Sequence, residues 1–251
     1  MLEKVQLDKV LFLDIETVPQ QANLSEMDPH ARDLFEYKNK FRYTSLKQEK
    51  DRIEATDGEL WQQVHQQIGG IQAEFGKIIC ISVGFVRQTS MGREIRLKSF
   101  AHHDEETLLK QFVRLIEEHF STPYHILCGH NAKEFDIPYI CRRMLINGIK
   151  LPSILDIAGK KPWEINHLDT MELWKFGDFK AYTSLALLCH VFGIPTPKDD
   201  ISGADVARVY YEEGNSDRIR VYCEKDVVAL IQVFLRMRGD ALVDDGAIKY
   251  S

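Results

Sequence analysis

Unbroken apolar runs predict the buried strands of a central sheet. The first occupies residues 10–13 and a longer one residues 78–86. A run that is apolar on both faces is typical of a strand covered on both sides. Met91 and Gly92 form a turn signal after the second run, so residues 95–100 predict a third strand and a hairpin. We expect a short fourth strand at residues 125–128 and a last one near residues 167–168.

Apolar residues spaced three and four apart predict helices between and after these strands. One helix covers residues 104–120 with Asp104 as its cap, and another contains Pro138 in its first turn and stops at Asn147 and Gly148. The order of elements indicates an α/β fold with a mixed central β-sheet flanked by helices. Three further helices are expected at about 184–192, 203–213 and 217–238.

Residues 20–75 are polar and too numerous for an ordinary connection between two strands. We interpret them as a helical insertion between the first and second strands. With this insertion included, we expect residues 1–251 to form a single domain, and we expect a monomer. The chain is 44% hydrophobic, which is enough for one sizeable core.

The composition of the chain limits where the protein is expected in the cell and what it is expected to bind. No apolar run approaches the roughly 20 residues of a spanning helix, and residues 1–8 are too polar for a signal peptide, so we expect a cytoplasmic protein. The five cysteines form no Cys-x-x-Cys pair and are expected to be reduced core thiols, not zinc ligands. The net charge is −6. Any contact with nucleic acid would therefore depend on local basic patches and bound cations.

Asp14 and Glu16 follow the first apolar run directly. Residues two apart in a strand point to the same face, so both carboxylates project together from the end of a buried strand. Asp136 precedes Ile137 and Pro138 at a predicted helix start. From position alone Asp136 is expected to be an N-cap, a role that is compatible with binding a metal ion.

Tyr222 and Asp226 are four residues apart in the last predicted helix and therefore share a face. Ile219, Leu230 and Val233 continue that face, which makes it the stripe that packs on the core. Asp226 interrupts an apolar stripe, where a carboxylate is costly unless something neutralises it. If the fold gathers the four acids, divalent cations would remove their mutual repulsion. Oxygen ligands suit Mg²⁺ or Mn²⁺, and two such ions about 4 Å apart serve displacement at phosphorus.

Three stretches of the chain resemble the motifs of the DEDDy 3′–5′ exonucleases. They read FLDIET at residues 12–17, GHNAKEFDIPY at 129–139 and YCEKD at 222–226. The sequence is most similar to the predicted exonucleases related to the proofreading domain of family B DNA polymerases. This resemblance implies a ribonuclease H-like fold, two divalent ions, and release of nucleoside 5′-monophosphates from the 3′ end of single-stranded or 3′-overhanging DNA.

The resemblance also implies a role for each matched residue. Tyr222 would orient the attacking water, and the substrate's terminal nucleotide would be bound by Thr17, Asn131 and Phe135, with Phe135 stacking on a base. Asp169 is either a neighbour of this site or only a helix cap. The metal ligands would be Asp14, Glu16, Asp136 and Asp226.

The segment from residue 37 to residue 52 is a candidate for binding a single strand, because it combines cations with aromatic rings. Its alternative is a solvated helical arm. As a hypothesis, neutralising Lys38, Lys40 and Arg42 weakens strand binding and flattens its salt dependence; unchanged binding across a salt series would refute it. The cations are Lys38, Lys40, Arg42, Lys47, Lys50 and Arg52, the acids Glu49 and Asp51, and the aromatic residues Tyr37, Phe41 and Tyr43.

Two alternatives to a DNA exonuclease stay open. The same chemistry could act on RNA, because no residue can be assigned to a 2′-hydroxyl contact. The chain could instead be a nucleic-acid-binding protein that has lost catalysis, although such a protein usually lacks one of the acids. Stabilisation by Mn²⁺ separates these classes, since only an intact ion site raises the melting point.

Overall fold

The computed structural model describes residues 2–50, 55–178, 180, 182–195 and 200–250. These residues contain a mixed sheet in the order β5-β4-β1-β2-β3-β6. β1 pairs antiparallel with β2 and parallel with β4. The strands are β1 (Val10–Pro19), β2 (Gly76–Thr89), β3 (Gly92–Ala101), β4 (Ile126–Gly129), β5 (Leu168–Asp169) and β6 (Ile248–Tyr250).

Helices cover both faces of the sheet, which confirms the predicted α/β class. The helix expected at residues 203–213 begins later, at Val206, and passes into a π-helical turn at Val209–Glu213. The helices are α1 (Pro29–Lys38), α2 (Lys40–Lys50), α3 (Asp57–Ile68), α4 (Glu105–His119), α5 (Asp136–Ile146), α6 (Thr170–Lys175), α7 (Leu185–Phe192), α8 (Val206–Arg208) and α9 (Ser216–Arg238). None of these described helices combines the length and apolar character needed to cross a bilayer.

β1 is buried on both faces because its side chains alternate between two cores. Leu11 and Leu13 pack in the core that contains residues of α4 and α5. Val10 and Phe12 pack on the opposite face, where Phe12 meets Phe234 of α9 edge to face at 5.2 Å. The apolar run at the start of β1 thus serves two layers, as the sequence predicts for a central strand.

A buried ion pair fixes α5 against α4 and β2. Arg143 donates to Glu105 with a shortest N–O distance of 2.5 Å, and both side chains are almost fully buried. Glu105 also accepts the backbone N–H of Ile78 at 2.7 Å, and Arg143 donates to the carbonyl of Ala73 at 2.8 Å. These bonds hold the start of β2 and the body of α5 together.

The insertion at residues 20–75 is helical, as expected, and has a small core of its own. α1, α2 and α3 pack around Phe35, Leu60 and Val64. Tyr43 of α2 stacks on Trp61 of α3 with ring centroids 4.3 Å apart. Arg52 and Asp51 of the predicted basic segment lie outside the described residues. The insertion is therefore a folded helical layer rather than a long loop.

The predicted cap of α4 is confirmed, whereas the predicted last strand is not. Asp104 caps α4 by accepting the N–H of Thr107 at 3.1 Å. All five cysteines are free thiols. The strand predicted near residues 167–168 forms as β5 but is not the last, because β6 adds to the edge of the sheet beside β3. The segment of β6 is too short for its periodicity to be recognised in the sequence.

Candidate active site

Asp14 and Glu16 lie in the middle of β1, on the face that α9 covers. The sequence predicts that the strand ends at these acids, but β1 continues to Pro19. The thiol of Cys223 in α9 donates to Asp14 Oδ2 at 3.5 Å and to the backbone carbonyl of Asp14 at 3.4 Å. Between Glu16 and Thr17 the register with β2 shifts. Such a bulge redirects side chains and is common beside active sites. Both acids lie beside Cys223 of α9, which agrees with the shared face predicted from their spacing.

Asp136 is not the N-cap that its position suggests. The cap of α5 is Phe135, which makes no side-chain capping bond, and Asp136 is the first helical residue. Its Oδ1 accepts the backbone N–H of Ile15 in β1 at 3.1 Å. The pairing of β1 with β4 ends at Phe12. The bond to Asp136 therefore satisfies a backbone N–H of β1 that lies beyond the end of β4. The bond brings Asp136 beside the two acids of β1.

Asp169 braces the turn that leads to Asp136. Its Oδ1 accepts the N–H of Asn131 at 2.9 Å, and its Oδ2 accepts the N–H of Lys133 at 3.0 Å. Asn131 has a left-handed φ of 64°, a conformation that asparagine tolerates better than most residues. Asp169 also caps α6 through the N–H of Met171 at 2.9 Å. Both roles considered for Asp169 are therefore present.

α9 brings Tyr222 and Asp226 to the same place. The Tyr222 hydroxyl hydrogen-bonds the Asp226 carboxylate, and Asp14 and Glu16 are close enough for their charges to act on the phenol. Tyr222 is buried, as are Ile219, Leu230 and Val233 on the same stripe. Three distant stretches of chain therefore deliver four carboxylates and one phenol to one cluster.

Mutual repulsion and burial disfavour negative charge in this cluster. Burial is the largest cause that raises the pKa of Asp14 well above its usual range, followed by the charges of Asp136, Glu16 and Asp226. Burial also raises the pKa of Asp136 to about 7; its backbone hydrogen bonds oppose this rise, and the charges of Asp169 and Asp226 add to it. Without a counterion these acids hold protons that isolated carboxyls would release.

Tyr222 is held in its neutral form. Burial raises the pKa of its phenol far above the usual value, and the charges of Asp226 and Glu16 raise it further. A phenol with such a pKa stays protonated at neutral pH, so it can donate one hydrogen bond and accept another. Its chemistry is that of an orienting group and not of a strong base.

The donor set fits hard divalent cations. Carboxylate oxygens are the preferred ligands of Mg²⁺ and Mn²⁺, and a positive ion would remove the repulsion that raises the pKa of Asp14. Donor atoms of Asp14, Glu16 and Cys223 lie within 4.8 Å of one another. The arrangement could therefore hold cations between β1 and α9.

The three residues expected to bind the terminal nucleotide lie in β1 and around the start of α5. Thr17 directly follows Glu16 in β1, and its hydroxyl hydrogen-bonds the phenol of Tyr139 in α5. Phe135 is half-buried and its ring lies 5.4 Å from that of Tyr139. Tyr139 thus links these two residues. Asn131 lies at the turn before α5, where its backbone is fixed by Asp169.

The sequence interpretation missed the contact that Cys223 makes. Cys223 follows Tyr222 in α9, and its thiol contacts the Asp14 carboxylate. Burial is the largest cause that raises the pKa of this thiol well above the usual value. The available signal was that Cys223 lies four residues after Ile219, a core position of α9. This spacing puts Cys223 and Ile219 on one helix face. That signal predicts burial but does not reveal a contact with Asp14.

Comparison with known families identifies the class of protein. Residues 70–242 match the family described as predicted 3′–5′ exonucleases related to the exonuclease domain of PolB. The chain therefore belongs to this family. The matched stretch includes Asp136, Tyr222 and Asp226, whereas Asp14 and Glu16 precede it.

A solved structure supports the same fold. The chain is similar to the family B DNA polymerase from the hyperthermophilic archaeon Pyrobaculum calidifontis, with a TM-score of 0.53 and 14% sequence identity. The similarity covers 90% of this chain and 24% of the polymerase chain. The shared architecture is a ribonuclease H-like fold, with a mixed sheet and helices on both faces.

Proposed function

We propose that this protein is a metal-dependent 3′–5′ exonuclease of the DEDDy type. In this proposal it hydrolyses the terminal phosphodiester of single-stranded or 3′-overhanging DNA and releases nucleoside 5′-monophosphates. The observation that carries the proposal is the convergence of acids from β1, α5 and α9, whose charges raise the pKa of Asp14. A cluster of repelling carboxylates is costly unless cations bind to it.

Four acids would bind the ions. Asp14, Glu16, Asp136 and Asp226 would be the ligands of two Mg²⁺ or Mn²⁺ ions. When bound, such ions activate the attacking water and stabilise the leaving oxygen. Asp136 is kept in place by its bond to the N–H of Ile15, and the Cys223 thiol restrains the Asp14 carboxylate. These bonds hold the ligands in position before the substrate arrives.

Tyr222 would orient the attacking water. Its phenol is protonated at neutral pH and donates to the Asp226 carboxylate. A lone pair of the phenol oxygen remains available to accept a hydrogen bond from the water. The water then keeps a lone pair directed at the terminal phosphorus.

The terminal nucleotide would lie over the start of α5. Phe135 offers a ring for stacking on a base, and Thr17 directly follows the ligand Glu16 in β1. Asn131 is a candidate donor to the strand, at a turn that Asp169 fixes. This assignment predicts that Phe135→Ala raises KM more than it lowers kcat, because the ring contributes to binding and not to the reacting atoms.

A degradation assay tests this function. Single strands labelled at the 3′ or the 5′ end, each made as DNA and as RNA, are incubated with Mg²⁺ or Mn²⁺ and the purified chain. The proposal predicts immediate release of the 3′ label as a nucleoside 5′-monophosphate, a ladder of shortening 5′-labelled strands, and faster hydrolysis of DNA. Faster hydrolysis of RNA would make the protein an exoribonuclease.

The matched control is a carboxylate outside the cluster. Asp14→Ala should abolish turnover and preserve the fold, while Glu106→Gln, at the exposed start of α4, should leave turnover unchanged. Binding of nucleic acid without turnover in any metal would instead indicate a protein that has kept the fold and lost catalysis.

A further inference from the structure

An apolar stripe on the insertion is exposed to solvent. Tyr37 is 84% exposed and Phe41 is 86% exposed, and Leu34, three residues before Tyr37, is half exposed. α1 ends and α2 begins on either side of Asn39, which donates its backbone N–H to Phe35 and accepts the N–H of Tyr43. Leu34 and Tyr37 share a face of α1 because they are three residues apart. Phe41 follows in α2, and all three side chains are exposed whereas Phe35 and Asn39 are buried.

The opposite face of the same helices is already occupied. Phe35 and Leu46 are buried in the core of the insertion. Asn39 is buried as well and exchanges hydrogen bonds of 3.1 and 2.8 Å with Gln72. Since this inner face secures α1 and α2 to the rest of the protein, the exposed stripe is not needed for folding. Large apolar side chains grouped in solvent usually mark a binding surface.

A short series of contacts connects the stripe to the end of β1. Lys38, beside Tyr37, forms an ion pair of 3.0 Å with Glu74. The carbonyl of Glu74 accepts the side-chain amide of Gln20 at 3.3 Å, and Gln20 follows β1 directly. These contacts connect the segment that carries the stripe to the C-terminal end of β1, the strand that also carries Asp14 and Glu16.

The charges around the stripe favour a polyanion, yet most are already partnered. Residues 37–49 carry four cations and one acid, in a chain whose net charge is −6. Lys38 pairs with Glu74, Lys47 pairs with Asp57 at 2.8 Å, and Arg42 donates to Gln67 at 3.3 Å. The two aromatic rings, Tyr37 and Phe41, are almost fully exposed and remain available to a ligand.

We propose that Tyr37 and Phe41 form a base-stacking platform for the single strand that leads to the acidic cluster. This inference rests on the proposed function, because it takes the substrate to be a single-stranded nucleic acid. Every base offers a π-face, so the platform would bind strands with little sequence preference. The neighbouring cations add attraction, but stacking would dominate over ion release in this contact.

Binding measured without catalysis tests the platform. A 15-nucleotide oligodeoxythymidine with a 5′ fluorophore is titrated with the full chain in EDTA, so that no hydrolysis occurs. The variant is Tyr37→Ala combined with Phe41→Ala. The control is Tyr124→Ala, which removes a ring that is 79% exposed outside the insertion. Thermal melting verifies that each variant is folded; the single changes Tyr37→Ser and Phe41→Ser replace the double variant if it is not.

The expected result is at least tenfold weaker binding for the double variant, because the bases lose both rings on which they stack. The control should bind like the wild type. The slope of log affinity against log salt should stay unchanged, because no charge is removed. On a strand of abasic sites, the double variant and the wild type should bind equally.

Wild-type affinity of the double variant for oligodeoxythymidine would overturn the proposal, and so would an equal loss on the abasic strand. The first outcome would leave the stripe as a surface for another ligand, such as a protein. Failure of the proposed function is distinguishable, because a chain that hydrolyses no strand could still bind one in EDTA and lose that binding in the variant.

Discussion

The backbone N–H of Ile15 donates a hydrogen bond of 3.1 Å to the carboxylate of Asp136, a residue 121 positions later in the chain. The bond joins the strand that carries Asp14 and Glu16 to the helix that carries Asp136. It also satisfies a buried donor of β1 at a point where the strand no longer pairs with β4. The acid thus has a structural role in addition to the catalytic one proposed for it.

The Ile15–Asp136 bond predicts different stabilities for two variants that remove the same charge. Asp136→Asn keeps an oxygen acceptor for Ile15, whereas Asp136→Ala leaves a buried N–H without a partner. We expect the alanine variant to be less stable than the asparagine variant by about 1–3 kcal/mol. Urea unfolding in EDTA measures the difference, and both variants should lack exonuclease activity. Equal stabilities would show that the bond contributes nothing.

The protein's stability should depend on pH in a way that divalent ions remove. The pKa of Asp136 is raised from 3.8 to about 7, so the folded protein holds more protons than the unfolded chain between these values. Stability in EDTA should therefore fall as pH rises through this window. Ions bind the deprotonated acids, so Mn²⁺ should raise the melting temperature more at pH 8 than at pH 5.5.

The matched control for this pH effect compares two variants that each replace one carboxylate with a neutral amide. Asp14→Asn removes one repelling acid and should lose most of the stabilisation by Mn²⁺, while Glu106→Gln, at an exposed position of α4, should retain it. A gain from Mn²⁺ that is independent of pH, or equal in both variants, would contradict the assignment of the ions to this cluster.

Tyr222→Phe separates water orientation from ion binding. The change removes the hydroxyl that donates to Asp226 but keeps the ring and every carboxylate. Turnover should fall on the order of 100-fold, while the stabilisation by Mn²⁺ should remain near that of the wild type. Single-turnover hydrolysis of a saturating oligonucleotide measures the first, and thermal melting the second. Full activity in this variant would exclude the orienting role.

The ion pair between Arg143 and Glu105 should contribute to stability and not to the reaction. Arg143→Met leaves the Glu105 carboxylate buried without its partner, which typically costs about 3–5 kcal/mol. Arg114 forms a comparable pair with Glu118 on the solvent face of α4, and Arg114→Ala should leave stability unchanged. Denaturant unfolding compares the two variants. Equal effects would contradict the importance of burial for this pair.

The sequence predicts those parts of the site that depend on local spacing. A central strand that carries two acids is recognisable from the four consecutive apolar residues before Asp14, although β1 continues past Glu16 to Pro19. Asp226 is recognisable because a carboxylate interrupts the apolar stripe of a helix. Both signals are local and survive in the fold, since β1 is covered by two cores and the face of Tyr222 packs inward.

Contacts between distant residues were beyond such local signals. The position of Asp136 at a helix start predicts a cap. Its carboxylate instead accepts the backbone N–H of Ile15, which is far away in the sequence. The bracing of Asn131 by Asp169 and the contact of Cys223 with Asp14 depend equally on the tertiary arrangement. β6 was missed because three residues show too little periodicity to mark a strand.

The central claim is that two divalent ions are shared by acids from β1, α5 and α9. Anomalous diffraction from a crystal soaked in Mn²⁺ tests it most directly. The account predicts two manganese peaks within bonding distance of carboxylate oxygens of Asp14, Glu16, Asp136 and Asp226. A map with no peak in this cluster at saturating Mn²⁺, or with Asp226 turned away from Asp14, would contradict it.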